Sequence, residues 1–310
     1  MRYALESRYF FVINPEAANG KTRATWNRLR RLLPLNAEHR LTESSSQGSR
    51  VTAEALAAGY DTIVAVGGDG TVNSVLNGFY RGGKMINPRA SLAYMPSGTG
   101  KDLARTLDLA RFASDEALLK LSAYRVSTLD HGLVRFRGHD GQKAYRYFVN
   151  EASVGFSADT VAVVNRSSKA LGGKFSFFAG VFRSLARLKN HPIRVEVDGS
   201  LWFVGQAFLV AIANGRYFGG SMQIAPLAKP DDGLFDIVLI TALTRREVLR
   251  HIGKIYSGKH ISLSQVRSIR GRNVRITSQE QVPLELDGEQ PGTLEAEFTM
   301  IGGGIRFLLP

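Results

Sequence analysis

The sequence contains no cysteine. This absence excludes disulfide bonds, thiol nucleophiles and thiolate metal sites, and it agrees with a reducing cytoplasm. No run of about 18 or more apolar residues occurs, which argues against a membrane-spanning helix. The N-terminal stretch MRYALESRYFFVINPE also lacks the long apolar segment and small-residue cleavage site of a signal peptide. We therefore expect a cytoplasmic protein.

Acidic residues are in the minority, with 27 Asp and Glu against 40 Lys and Arg, which gives a net charge of +13. Such a balance favours contact with a polyanion, although simple solubility also explains it. Zinc knuckles, RNP-type aromatic motifs and other nucleic-acid signatures are missing, so we expect no nucleic-acid partner. We expect instead peripheral contact with an anionic membrane surface. The sequence leaves open whether the chain forms a homodimer.

The first half of the chain alternates the patterns of buried strands and of helices. Strands are predicted at 9–13, 62–66 and 90–95, helices at 22–33 and 51–58, and a polar loop at 44–47. Strands that alternate with helices favour a parallel sheet with both faces covered.

After about Thr128 the pattern changes to short runs of alternating polar and apolar residues. These runs lie at 132–137, 193–197, 273–277 and 283–286, with Asp198-Gly199 and Asp287-Gly288 as turn pairs. This half is predicted to be an antiparallel sandwich or barrel with helical insertions at 175–188 and 245–256. The first insertion mixes aromatic and basic residues, so it could lie on an anionic membrane or pack on the sandwich with its basic face in water.

Three glycine-rich loops follow strands of the first half, at 14–20, 67–71 and 96–100. In an open parallel sheet, ligands sit beyond the carboxyl ends of the strands, and helix starts with bare N–H groups favour phosphates. The middle loop, GGDGT, is not a dinucleotide fingerprint, because the third glycine would stand at Asn73. It is not a P-loop either, because no Gly-Lys-Ser/Thr follows. A plain strand-to-helix turn remains the alternative.

Several motifs resemble those of the diacylglycerol kinase catalytic domain family, which includes the bacterial soluble lipid kinases. VAVGGDGTVNSVLNGF resembles its GGDGT motif, MPSGTGKDLARTLDL its second motif and INPEAANGK its opening loop. NEASVGFSADTV, NGRYFGGSMQIAPLAKPDDGLFDI and ELDGE follow in the family's order. NAD kinases share GGDGT alone, whereas the ordered set covers nearly the whole chain.

The resemblance implies an α/β N-terminal nucleotide-binding domain followed by a C-terminal antiparallel β-sandwich domain, as in NAD kinases and diacylglycerol kinases. It also implies that the last strand returns to the first domain. We therefore assign residues 1–129 and 300–310 to an ATP-binding domain and residues 130–299 to a lipid-substrate domain.

ATP and Mg2+ are the cofactors that the resemblance implies. The positions matched to ATP contacts are Asn14, Pro15, Gly20, Thr42, Gly68, Gly70, Thr71, Asn73, Gly98 and Thr99. Glu289 matches the proton acceptor of bacterial members, and Asp69 matches the acidic residue with that role in sphingosine-kinase-like relatives. Between the two, the catalytic base stays open. A carboxylate amid glycines is costly alone, but it is useful beside Mg2+ or a substrate hydroxyl.

Two further assignments follow from the resemblance, each with a simpler alternative. Asp232 matches a Mg2+ ligand, assisted by the carbonyls of Lys229 and Leu234, although this stretch also reads as a β-turn. Asp159 matches the residue that holds the substrate head group in sphingosine kinases, although an acidic residue is common where a helix begins.

The chain departs from the family's pattern at two positions. Ser74 stands where many members have Glu, which could weaken a contact near the adenosine or the metal. Lys101 stands where the second motif usually has Asn, which could add a cation beside the triphosphate or disturb the loop.

The expected activity is an ATP- and Mg2+-dependent lipid kinase. Its acceptor would be a hydroxyl of diacylglycerol, a sphingoid base, ceramide or a phosphatidylglycerol-like lipid. The alternatives are an NAD kinase-like enzyme and a catalytically silent regulator that binds lipid or nucleotide.

Overall fold

A computed structural model describes residues 8–18, 20–33, 37–97, 101–111, 114–166 and 185–310. It divides the chain into two compact units. The first comprises the residues up to Leu129 together with Gly303–Pro310, and the second is Asp130–Gly302.

The first unit is built on a parallel sheet. Its strands are β1 (Tyr9–Ile13), β2 (Ala37–Leu41), β3 (Thr62–Gly67), the short ribbon of β4 (Tyr80–Arg81) and β5 (Lys84–Met85), and β6 (Ser91–Pro96). The parallel strands lie in the order β6-β3-β1-β2, and the end of the chain adds a further parallel strand at Ser91 and Leu92. Every residue of β1, β3 and β6 is buried, which confirms the prediction of a sheet covered on both faces.

Helices pack around this sheet. They are α1 (Lys21–Leu29), α2 (Ser45–Ala57), α3 (Asp69–Gly78), α4 (Asp102–Thr106) and α5 (Ser114–Lys120), with 3-10 turns at Arg30–Leu32, Leu109–Arg111 and Leu121–Ala123. The prediction of a polar loop at 44–47 was wrong, because Ser44 caps α2 by accepting a hydrogen bond from the Gln47 N–H. The predicted helix at 22–33 instead tightens into a 3-10 turn after Leu29.

Strand β2 is one of the elements that the sequence did not indicate. Its sequence, AEHRL, contains only Ala37 and Leu41 as apolar residues, and four of its five residues are exposed. Among the strands that the structure describes, it pairs only with β1, at the edge of the sheet.

The second unit is antiparallel. Its strands are β7 (Arg125–Gly138), β8 (Lys143–Phe148), β9 (Glu151–Gly155), β10 (His191–Val197), β11 (Ser200–Ala213), β12 (Phe235–Thr241), β13 (Val266–Gly271), β14 (Asn273–Thr277), β15 (Pro283–Leu286) and β16 (Glu289–Leu309), and its helices are α6 (Phe156–Arg166), α7 (Arg245–Ile255) and a 3-10 turn at Lys259–Ser262. The unit boundaries fall inside β7 and β16.

These strands form the predicted β-sandwich. One path of hydrogen-bonded neighbours runs β13-β12-β11-β10-β14-β16, while β9 pairs with both β11 and β15. The apolar interior includes Phe148, which stacks on Phe235 at 5.6 Å and meets the edge of Phe298 at 6.3 Å. The predicted insertion at 245–256 is confirmed as α7, which Thr244 and Glu247 begin with a capping box.

The predicted insertion at 175–188 falls mostly outside the described residues, which omit 167–184. Among the helices in the described ranges, none combines the length and apolar character that crossing a bilayer requires.

A buried histidine of β7 gives the second unit a specific sensitivity to acid. His131 is fully buried, its ring lies 5.8 Å from that of Tyr147, and burial lowers its pKa from 6.5 to about 4. Between about pH 6.5 and pH 4, His131 is protonated in the unfolded chain but neutral in the folded chain. The free energy of unfolding therefore falls as the pH drops below about 6.5. Since one pKa unit corresponds to about 1.4 kcal/mol, the full effect is about 3 kcal/mol, of which about 2 is lost by pH 5.

Urea unfolding of the His131→Gln variant at pH 8 and pH 5 tests this expectation. The variant should lose about 2 kcal/mol less than the wild type between these pH values. His139→Gln, at an exposed position, is the control and should follow the wild type. Equal pH dependence of wild type and His131→Gln would contradict the assignment.

Candidate functional site

The predicted phosphate-binding loops of the first unit lie at one edge of its sheet. Because β6, β3, β1 and β2 are parallel neighbours, the segments that follow them all leave from the carboxyl edge. Backbone hydrogen bonds tie these segments to the neighbouring strands. Asn14 N–H donates to Val66 at 3.0 Å, Thr42 N–H to Ile13 at 2.8 Å and Ser97 N–H to Gly67 at 2.7 Å.

The first loop and Thr42 are shaped by local hydrogen bonds. The Asn14 side chain accepts the Glu16 N–H at 3.1 Å, next to the buried Pro15. Gly20 has a φ of 82° and leads into α1. Thr42 donates its hydroxyl to the Ile13 carbonyl at 3.1 Å. Asn14 and Thr42 therefore use side-chain groups to hold this edge together. The structure does not describe Gly98 and Thr99, so their assignment stays a prediction.

The GGDGT loop places a buried hydroxyl against bare backbone. The Thr71 hydroxyl has no hydrogen-bond partner among the described residues. A Cβ on Gly67 would lie 2.3 Å from that hydroxyl oxygen, so this position requires glycine. Gly68 precedes α3 and Gly70 lies in its first turn, which leaves N–H groups at the helix start. Asn73 is buried in α3, and its side chain accepts a hydrogen bond from Asn77 at 3.2 Å.

Asp69 is held in place by two donors from other elements. Its Oδ1 accepts the Tyr94 hydroxyl at 3.0 Å, and its Oδ2 accepts the Asp102 N–H, the first amide of α4, at 2.8 Å. Burial, followed by the charge of Asp69, raises the pKa of Tyr94 well above 10, so the phenol remains a neutral donor. The carboxylate that the sequence sets in a glycine turn is thus fixed in direction by β6 and α4.

Lys101 turns the chain so that α4 can reach Asp69. Its backbone is left-handed, with φ 56° and ψ 33°, and its side chain makes no capping hydrogen bond. Asparagine tolerates this conformation far better than lysine, which agrees with the Asn that the resemblance leads one to expect here. The neighbouring Asp102 side chain pairs with Arg105 at 2.7 Å.

Replacing Lys101 by Asn should raise the free energy of unfolding by about 0.5–1 kcal/mol, because Asn relieves backbone strain and can cap α4. Lys101→Ala removes the same ammonium group but keeps the strain, so it should give no such gain. Urea denaturation of the three proteins measures the difference. Equal stabilities of the Asn and Ala variants would contradict the explanation.

Ser74 lies where α3 packs closely against α2. The Ser49 hydroxyl donates to the Ser74 carbonyl at 2.8 Å, and a Cβ on Gly48 would lie 2.3 Å from the Ser74 hydroxyl oxygen. The residue is buried in this helix contact. The suggestion that Ser74 weakens a nucleotide or metal contact stays a prediction.

In the second unit, Glu289 opens β16 directly after the predicted Asp287-Gly288 turn, which is confirmed as a two-residue hairpin. Its Oε2 accepts a hydrogen bond from Arg146 of β8 at 2.6 Å, and both side chains are about one-third exposed, 32% each. Glu289 is therefore accessible to a substrate and oriented by a cation.

In the turn predicted to bind a metal, the Asp232 carboxylate is paired with an arginine of β13. Leu234 N–H donates to Asp232 Oδ1 at 3.2 Å, and Arg270 forms an ion pair with Asp232 Oδ2. Arg270 also lies 3.5 Å from Asp236, whose pKa is raised by burial. No group of three or more acidic, His or Cys side chains able to hold a metal occurs among the described residues. As it stands, the turn does not fit a divalent cation, and the metal prediction for Asp232, Lys229 and Leu234 requires that Arg270 move away.

Asp159 lies in the first turn of α6, with its side chain 31% exposed. Its Oδ2 is 3.2 Å from Nε2 of His191, which is buried at the start of β10. The carboxylate is thus accessible and oriented, while the head-group assignment stays a prediction.

Sequence reasoning missed the residues that orient these carboxylates. They are Tyr94 and Asp102 for Asp69, Arg146 for Glu289, Arg270 for Asp232 and His191 for Asp159. Asp102 lies inside the second motif, MPSGTGKDLARTLDL, so the sequence could have indicated it. The others are far along the chain from their partners, and no local pattern marks them.

The fold and the loops together define a class of protein. A sequence model described as the diacylglycerol kinase catalytic domain matches residues 8–134. A second, described as the YegS C-terminal NAD kinase beta sandwich-like domain, matches residues 150–309, about half of the chain. The chain belongs to the bacterial diacylglycerol kinase-like family.

Curated relatives agree over most of their length. The chain is 28% identical over 269 residues to the diacylglycerol kinase of Bacillus subtilis (strain 168), covering 87% of this chain and 84% of that protein. It is 30% identical over 270 residues to the diacylglycerol kinase of Staphylococcus haemolyticus, covering 87% and 77%. The diacylglycerol kinase of Mycobacterium tuberculosis is 27% identical over 258 residues, with coverages of 83% and 80%.

Solved structures support the fold. A diacylglycerol kinase from Bacillus anthracis aligns with a TM-score of 0.69 at 20% identity, covering 98% of this chain and 97% of that one. An NAD kinase from Archaeoglobus fulgidus in complex with ATP aligns with a TM-score of 0.51 at 15% identity, covering 97% and 92%.

Proposed function

We propose that this chain is an ATP-dependent lipid kinase, which transfers the γ-phosphoryl group of ATP to a hydroxyl of a membrane lipid. The acceptor that its relatives' names favour is diacylglycerol, and a sphingoid base, ceramide or phosphatidylglycerol-like lipid is the alternative. In the reaction, the lipid oxygen bonds to the γ-phosphorus, the bond to the β-phosphate oxygen breaks, and ADP leaves. The hydroxyl proton passes to a carboxylate.

The observation that carries this proposal is the setting of Asp69. It stands in the first turn of α3, next to Gly68 and Gly70, and its direction is fixed by Tyr94 and Asp102. Phosphoryl transfer needs exact positioning and charge neutralisation rather than covalent chemistry from the protein. A rigid carboxylate among amide donors supplies a proton acceptor or an anchor for the nucleotide's cation.

Glu289 is the other candidate for the proton acceptor. Its exposure allows a lipid hydroxyl to approach, and Arg146 limits the directions in which its carboxylate can point. A general base must lie within hydrogen-bond reach of the hydroxyl in a bound complex. In this proposal the residues assigned to ATP belong to the first unit, and Glu289 and Asp159 belong to the second.

Mg2+ enters this proposal as the companion of ATP. Bound to the triphosphate, it would neutralise charge that builds up on the γ-phosphoryl oxygens. Asp69 is the residue whose charge and placement suit contact with such a cation. The turn at Asp232 is left out of the reaction, because Arg270 already satisfies that carboxylate.

The membrane is the source of the acceptor in this proposal. A chain with a net charge of +13 is attracted to anionic lipid surfaces over about one Debye length. Vesicles that contain phosphatidylglycerol should therefore support a higher rate than zwitterionic vesicles with the same acceptor, and added salt should reduce the difference.

Incubation with γ-radiolabelled ATP tests the proposal against its alternatives. Separate vesicles each carry one candidate lipid alcohol, and a parallel reaction contains NAD. Label in an extractable lipid supports the lipid kinase and identifies the acceptor. Label in NADP would replace it with an NAD kinase, and ATP binding without transfer to any acceptor would indicate a silent regulator.

A further inference from the structure

A buried carboxyl pair lies behind the turn that presents Glu289. The turn consists of Asp287 and Gly288, both left-handed with φ values of 45° and 89°. Asp287 is anchored on one side, because its carboxylate accepts the N–H groups of three consecutive residues. These are Val149, Asn150 and Glu151, at 3.0, 3.1 and 2.9 Å.

Glu285 forms hydrogen bonds on the other side of the turn. Its Oε1 accepts the Gly288 N–H at 2.5 Å, one residue before Glu289. Its Oε2 accepts the Ser153 hydroxyl at 2.5 Å, and the Ser157 hydroxyl donates to Ser153 at 2.7 Å. Glu285 is only 2% exposed, so this chain of hydrogen bonds runs through the interior of the second unit.

Glu151 completes the pair. It is 3% exposed, and burial, followed by the charge of Glu285, raises its pKa well above its usual value. The raised pKa favours a proton shared between the two carboxyl groups, whose side chains are hydrogen-bonded to each other. This shared proton limits the cost of burying two carboxyl groups side by side.

Burying two carboxyl groups beside a two-residue turn carries a desolvation penalty, which neutral or apolar side chains of similar size would avoid. The pair acts on the residue that follows the turn, Glu289, which is partly exposed. Fixing the Gly288 N–H fixes the path of the backbone into Glu289, whose side chain is then held by Arg146 at 2.6 Å.

We propose that Glu285 is a positioning residue for Glu289, acting through its hydrogen bond to the Gly288 amide and braced by Ser153 and Glu151. This inference rests on the proposed function, since it assigns Glu289 a part in catalysis. Glu285 itself is buried and touches no substrate. Misplacing a reacting group by about 1 Å can cost about a hundredfold in rate, so the hydrogen bond is sufficient to matter.

Three substitutions separate geometry from charge. Glu285→Gln keeps an oxygen that can accept from Gly288 and should retain kcat within about threefold. Glu285→Asp keeps the charge but is too short to reach both Gly288 and Ser153, and Glu285→Ala removes the acceptor. Both should lower kcat about 10- to 100-fold, with KM for ATP and lipid within about twofold. Glu297→Gln, at an exposed position of β16, the strand that Glu289 opens, is the control and should match the wild type.

Hydrogen exchange of the Gly288 amide gives a readout that needs no activity. It should be slow in the wild type and in Glu285→Gln and faster in Glu285→Asp. The proposal is overturned if Glu285→Asp and any folded Glu285→Ala turn over lipid within twofold of the wild type. If the wild type phosphorylates no lipid, the proposed function fails first. Equal Gly288 exchange in all variants would then refute the turn geometry separately.

Discussion

Replacing Asp69 by Asn should lower kcat for lipid phosphorylation at least about a hundredfold and leave the fold intact. Asn has the same shape as Asp, and its oxygen can accept the Asp102 N–H while its amide donates to the Tyr94 hydroxyl. Only the negative charge is lost. Steady-state kinetics, with thermal unfolding as the check on folding, measures the effect.

Tyr94→Phe is the matched control for this prediction. It removes one hydrogen bond to Asp69, at 3.0 Å in the structure, but keeps the carboxylate charge. We expect a loss in kcat of about tenfold or less, because a single neutral hydrogen bond contributes about 1 kcal/mol. If Asp69→Asn retained more than half of the wild-type kcat, Asp69 would be a structural residue of the strand-to-helix turn.

Replacing Glu289 by Gln should lower kcat about 10²- to 10⁴-fold with little change in KM for ATP. Gln can still accept the hydrogen bond from Arg146, so its side chain should keep its direction while losing the ability to take a proton. The measurement is kcat as a function of pH. In the wild type, kcat should fall at low pH as the catalytic base becomes protonated. Replacing that base should abolish this fall, so comparing the pH profiles of Glu289→Gln and Asp69→Asn decides which residue is the base.

Arg146→Met is the companion to this experiment. It leaves the Glu289 carboxylate intact but removes the cation at 2.6 Å that orients it. We expect a smaller loss in kcat than for Glu289→Gln. Full activity in Glu289→Gln at every pH would remove Glu289 from the chemistry and would also remove the purpose assigned to Glu285.

The sequence predicted the framework well where burial alone dictates structure. Strands β1 and β3 are continuous apolar runs, and such runs between helices specify a parallel sheet. Strand β2 escaped prediction because an exposed edge strand needs no apolar pattern. The start of α2 escaped because serine is favoured both in loops and as a helix cap, and only the Ser44 hydrogen bond to Gln47 distinguishes them.

The carboxylates of the site could be named from motifs, but their orientation could not. Tyr94 reaches Asp69 across neighbouring strands, and Arg146 reaches Glu289 across 143 positions of sequence. Such contacts depend on the completed fold. Resemblance to a family identifies the residues of its motifs but not these supporting partners. It did not indicate that Arg270 forms an ion pair with Asp232.

Transfer of a γ-phosphoryl group labelled with heavy oxygen from ATP to diacylglycerol in anionic vesicles tests most directly whether these carboxylates serve phosphoryl transfer. Mass spectrometry of the lipid fraction should detect labelled phosphatidic acid with the wild type. With Asp69→Asn and with Glu289→Gln it should detect at most about one-hundredth of that amount. No labelled lipid from the folded, ATP-binding wild type, or equal labelling by all three proteins, would contradict the account.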